Sequence, residues 1–194
     1  GESQAFEETG GSIILVFFLT ILLVYLVLAA QFESFVHPAT IITTVPLAVG
    51  GGIIGLALTG MTLNLYSQIG IVMLVGLAAK NGILIVEFAN QLRDEGLEIL
   101  ESIQQAAARR LRPILMTSIA TVFGAIPLAI ASGAGGAARA SIGVVIVFGV
   151  TLATLITLIL IPLIYARLAK YTGSPEAVTR RLQQELAEQE KGAA

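Results

Sequence analysis

Long apolar runs alternate with short polar patches along the whole chain. Five of the runs, at about 11–30, 39–59, 67–90, 113–131 and 140–167, reach or exceed the length needed to cross a bilayer, since roughly 20 apolar residues span about 30 Å of hydrocarbon. Only the third carries charge in its interior (Lys80 and Glu87). A helix apolar on every side belongs in lipid or inside a bundle rather than on a soluble core. Ile and Val are abundant, but the runs are longer than strands and lack the alternation of a membrane barrel. The pattern predicts an all-α membrane protein, a bundle of five transmembrane helices.

The polar patches add orientation. Arg93, Arg109, Arg110 and Arg112 lie between the third and fourth runs, and Arg167, Lys170, Arg180, Arg181 and Lys191 lie at or after the end of the fifth. The other side carries only Arg139. The excess of basic residues on one side places the 91–112 loop and the C-terminus in the cytoplasm and the N-terminus outside. Residues 1–10 then end a periplasmic segment, 11–170 form the transmembrane domain and 171–194 a cytoplasmic tail. Leu97, Leu100, Ile103, Ala107 and Leu111 recur at spacings of three and four. That spacing predicts an amphipathic surface helix on the cytoplasmic face; a solvated loop helix touching no lipid is the plainer alternative. Ser174, Pro175 and Glu176 read as a helix start. The glycine-rich stretch Ser132–Gly136 lacks the Lys-Ser/Thr ending of a phosphate loop and reads as a tight turn.

Composition narrows the function. Apolar residues make up 56% of the 194 residues and charged ones 12%, with a net charge of −2, so no basic surface points to nucleic acid. The absence of cysteine removes disulfides and thiolate chemistry, and one histidine, His37, is too few for a histidine metal cluster. No metal site or cofactor is expected. The first apolar run follows Glu2, Glu7 and Glu8 rather than a basic leader, and the chain opens with Gly1 rather than Met. It reads as a piece of a longer chain.

Lys80 is the residue that demands explanation. An ammonium at mid-membrane depth costs about 2.5–3.5 kcal/mol on insertion scales, and its stem is too short to reach an interface. It must therefore face a protein interior with polar or acidic partners, either as a structural interhelical ion pair or as part of an ion or proton relay. Glu87, about 10 Å further along the axis, is no direct partner and reads equally as an interfacial carboxylate or a relay member. No aspartate lies in any of the five runs, so the natural counter-ion is missing. Thr117 and Thr121 stack one turn apart in the fourth run, with Ser118 beside them, and Arg110 joins their stripe only if helix continues back through Pro113. Such hydroxyls also bond simply to their own helix carbonyls. Gly51 with Gly55, and Gly76, Ala79 and Gly82 near Lys80, read as close-packing positions.

The run Gly76-Leu-Ala-Ala-Lys-Asn-Gly-Ile-Leu-Ile-Val-Glu-Phe-Ala89, which includes Asn81, resembles the lysine-bearing tenth helix of AcrB-type multidrug pumps of the resistance-nodulation-division family. Arg109-Arg-Leu-Arg-Pro-Ile-Leu-Met-Thr-Ser118 resembles the start of their eleventh helix. Leu28–Ser34, Val45-Pro-Leu47 and Ser132-Gly-Ala-Gly135 are similar to further family motifs. The resemblance implies helices eight to twelve of an inner-membrane homotrimer that couples proton influx to export of drugs or amphiphiles, working with a periplasmic adaptor and an outer-membrane channel. It implies a proton relay in which Lys80, Thr117 and Arg110 face an Asp pair on the missing N-terminal part, with Asn81, Glu87 and Thr121 as supporting candidates. Lys80 favours the drug-exporting branch over the heavy-metal branch. A lipid exporter or protein-translocation accessory of the same superfamily is the alternative. A membrane scaffold would have no use for Lys80, and no Ser–His, Asp-pair or zinc pattern suggests an enzyme.

Overall fold

The computed structural model describes residues 2–171, with side chains described for 14–170. Its elements are α1 (Glu2–Phe32), α2 (Val36–Ile42), α3 (Thr44–Leu58), α4 (Leu65–Asp94), α5 (Ile99–Ala129) and α6 (Gly136–Leu168), closed by a 3₁₀ turn at Ala169–Tyr171. No strand occurs among the described residues. Among the described residues, five helical units are long and apolar enough to cross a membrane, α2 and α3 counting as one. The protein is an all-α membrane bundle, as the hydrophobic pattern predicts. The calls on residues 172–194, including the helix start at Ser174, lie outside the described residues.

The amphipathic surface helix does not form as a separate element. Residues 99–129 make one continuous α5, with Pro113 inside it. Proline removes one rung of the helix ladder but need not end a membrane helix, where neighbours re-satisfy the freed groups. Of the five-residue stripe, Ile103 is buried and packs with Ala106 into the bundle, whereas Leu100 and Leu111 are exposed. Helix–helix packing therefore overrides the surface reading at the centre of that stripe.

α6 is the hub, packed along α3, α4 and α5. Its approach to α3 depends on small residues. A Cβ on Gly51 would stand 2.9 Å from Leu152 Cβ, and one on Gly55 would stand 2.6 Å from Phe148, so this glycine pair packs closely, as its spacing predicts. Gly76 differs: a Cβ there would meet open space. Two buried clusters result. One joins Leu28, Ile41, Ile85, Ile103, Ile161 and Tyr165 near the end of the bundle that carries Arg93 and Arg167 (the basic end), and the other joins Ala48, Leu56, Leu74, Val145 and Val150 nearer the opposite end. α1 buries Leu28 and Phe32 while Ile14, Phe18 and Leu22 stay exposed, so it meets the rest of the bundle chiefly through its last turns.

Candidate functional site in the α4–α5 cleft

α4 begins at Asn64, whose side chain accepts from the Ser67 backbone N–H while the Ser67 hydroxyl accepts from the Asn64 N–H. This reciprocal cap satisfies two donors that a helix start leaves free. The Asn64 amide also donates to the Ser141 hydroxyl (3.1 Å), tying α4 to α6. Fixed there, α4 carries Lys80 at its midpoint.

Lys80 is exposed on the bundle and lines a small cleft with Leu77, Asn81, Thr117, Ser118, Thr121 and Val150. The structure thus brings together Lys80, Asn81, Thr117 and Thr121 from among the sequence candidates. The two threonine hydroxyls donate to carbonyls of their own helix: Thr117 to Ile114 O (3.1 Å) and Thr121 to Thr117 O (2.8 Å). Each hydroxyl keeps a lone pair with which it can still accept a bond from an ammonium.

Behind Lys80 lies a polar node that ties three helices. The Asn81 amide donates to Thr154 Oγ1 (3.1 Å) and Ser118 Oγ (3.4 Å), and the Thr154 hydroxyl donates to Ser118 Oγ (2.8 Å). All three residues are buried. In a low-dielectric interior such a network is costly to disturb, so it holds α4, α5 and α6 in one register beside Lys80. Thr154 was not legible as a site residue, because nothing in a sequence pairs it with Asn81 across 73 positions.

Arg110 and Glu87 lie elsewhere. α5 does continue through Pro113, but the Arg110 guanidinium sits over the Phe88 ring, 4.6 Å from its centroid, with Arg109 at 5.9 Å. A cation over an aromatic face is held by the ring quadrupole. Phe88 is eight residues past Lys80, about 12 Å along α4, so Arg110 is stationed nearer the basic end than the Lys80 cleft. Glu87 is half-buried two turns beyond Lys80 and does not line the cleft. The only aspartate in the chain, Asp94, ends α4.

Lys80 thus stands at the midpoint of an apolar span, open on one side and backed by a hydrogen-bonded polar node. Against known proteins, residues 1–169 match the model of the AcrB/AcrD/AcrF family. The chain belongs to that family. It is 44% identical over 164 residues to the solvent-resistant pump membrane transporter SrpB of Pseudomonas putida, covering 84% of this chain and 16% of that protein. It is 40% identical over 176 residues to the multidrug resistance protein MdtC of Erwinia tasmaniensis, covering 90% and 17%. An uncharacterized transporter of Haemophilus influenzae is 43% identical over 175 residues, covering 87% and 17%. The chain thus spans about a sixth of the length of these transporters.

Proposed function

We propose that this family member forms the C-terminal membrane part of an inner-membrane efflux transporter that couples proton influx to export of drugs or amphiphiles. The observation that carries the reading is Lys80, a mid-span ammonium exposed in the α4–α5 cleft. Left against lipid it would be expensive, so a polar surface from the remainder of the transporter must cover it. Carboxylates on that surface would hold Lys80 charged, and protonation of one would weaken the pull and release the ammonium towards Thr117. That gives the helices two packings, the kind of bistable element from which a transport cycle is built. Arg110, over Phe88, serves the relay from the basic end rather than by contact with Lys80. The working unit is a homotrimer engaged with a periplasmic adaptor and an outer-membrane channel.

In the complete transporter, Lys80→Met should leave expression and assembly intact and abolish proton-driven efflux. Lys80→Arg should rescue poorly, because a guanidinium is larger and does not release its proton. Normal efflux by an assembled Lys80→Met protein would leave only a structural role. The basic end is cytoplasmic in this reading: a cysteine at exposed Glu98 should resist an impermeant thiol reagent in intact cells, and one at exposed Ser132 should react. The reverse labelling would invert the orientation.

A further inference from the structure

Five buried side-chain polar atoms among the described residues lack a hydrogen-bond partner: His37 Nε2, Asn90 Nδ2, Asp94 Oδ1, Thr157 Oγ1 and Arg110 Nε. Three of them gather around one side chain at the basic end. Tyr165 of α6, 1% exposed, donates its hydroxyl proton to Asn90 Oδ1 at 2.6 Å. His37, also 1% exposed, stacks on the Tyr165 ring with centroids 5.7 Å apart, and Phe32 meets the histidine edge-on. Asp94 lies one turn beyond Asn90 on the same face of α4, and Arg93 NH1 donates to the Tyr165 hydroxyl at 3.4 Å.

Unpaired atoms at this depth are uneconomical. Each forfeits its hydration when left without a partner, and native interiors resolve such groups with protein or with water. The three atoms are also chemically complementary: an amide donor on Asn90, a carboxylate acceptor on Asp94 and an imidazole nitrogen that serves as either. A buried water needs two to four such partners in a polar site. No metal fits, because the cluster offers one imidazole and one carboxylate and no group of three metal-ligating side chains occurs among the described residues.

We propose that this seam between α2, α4 and α6 is an internal water site and, resting on the proton-coupled reading above, the cytoplasmic mouth of the proton path. The stretch separating it from the Asn81–Ser118–Thr154 node narrows at an apolar contact, with the buried Thr157 hydroxyl one turn from Ile161 on α6. A Cβ on Gly82 would stand 3.2 Å from Ile41 and 3.4 Å from Ile161, and both isoleucines are fully buried. Water at the mouth with an apolar step above it lets protons leave when the helices shift and blocks a leak when they do not. His37, buried on the short helix α2, is part of the wall of this site.

X-ray hydroxyl-radical footprinting of the complete transporter in nanodiscs tests the water directly, because radicals form where water sits and oxidise a buried ring only when water is beside it. Tyr165 should be oxidised at doses that modify the exposed Tyr66. The double variant His37→Phe with Asn90→Leu, which removes two of the three unpaired atoms, should cut Tyr165 oxidation several-fold. His37→Gln, which keeps a polar group and serves if the double variant does not assemble, should retain the label. An unmodified Tyr165 in the parent protein, equal modification in the double variant, or loss of label in His37→Gln would overturn the water site. The role in proton exit is read separately, as substrate-driven collapse of a pH gradient in vesicles. The double variant should slow it several-fold with substrate binding unchanged, and a wild-type rate from a dry variant would overturn that role. The footprint stands or falls independently of Lys80→Met, so failure of the pump reading and failure of the water site are distinguishable.

Discussion

The two polar regions of this bundle are built from the same kinds of residue and finished in opposite ways. At the Lys80 level, Asn81, Ser118 and Thr154 satisfy one another across three helices. Towards the basic end, Asn90 and Tyr165 make one good bond while Asn90 Nδ2, His37 Nε2 and Asp94 Oδ1 are left over. A closed network gives stiffness, because any displacement breaks bonds its members already satisfy among themselves. An open one gives room for solvent, and solvent can replace what a mutation removes. The first suits a fulcrum beside a charge, and the second suits a passage.

That contrast can be broken by unequal responses to similar substitutions, measured by unfolding of the transporter in mixed micelles. Asn81→Leu should have the largest effect, about 2 kcal/mol, because it deletes two interhelical bonds and presses an apolar branch against two hydroxyls. A change below about 0.5 kcal/mol would mean the node does not lock the helices. Thr154→Val, which keeps the shape, should cost about 1 kcal/mol, and Thr154→Ser should restore most of it. Equal behaviour of Val and Ser would assign the effect to packing instead of the hydroxyl. Tyr165→Phe also deletes one buried hydroxyl, yet should cost less than Thr154→Val, because water takes over at Asn90. A cost as large as that of Thr154→Val would place Tyr165 in a dry site. Thr121→Ala should be nearly silent, within about 0.5 kcal/mol, since its hydroxyl bonds only within α5.

The spans were legible because hydrocarbon imposes one solution on any chain that crosses it, and runs free of charge announce that solution without reference to tertiary contacts. Lys80 was legible for the same reason in reverse: its cost is set by depth, which sequence position approximates. The node was half legible. Asn81 and Ser118 adjoin Lys80 and Thr117 in sequence, but Thr154 belongs to it only through the packing of α6. The fate of α5 depended on whether neighbouring helices would hold a chain through Pro113, which local propensity at Arg112 argues against. Arg110 fell on the predicted stripe, but its place over Phe88 is a contact between helices that no helical-wheel argument contains. His37 could not be read beyond its solitude, because its significance lies in Tyr165, 128 positions away.

The uninterrupted α5 has a mechanical consequence. Proline at 113 and at 127 each delete one rung of the helix ladder, so the rod has two soft joints and a stiff length of about four turns between them. Thr117, Ser118 and Thr121 all ride on that stiff length. A force on any one of them is therefore shared along that length and taken up first at the two joints.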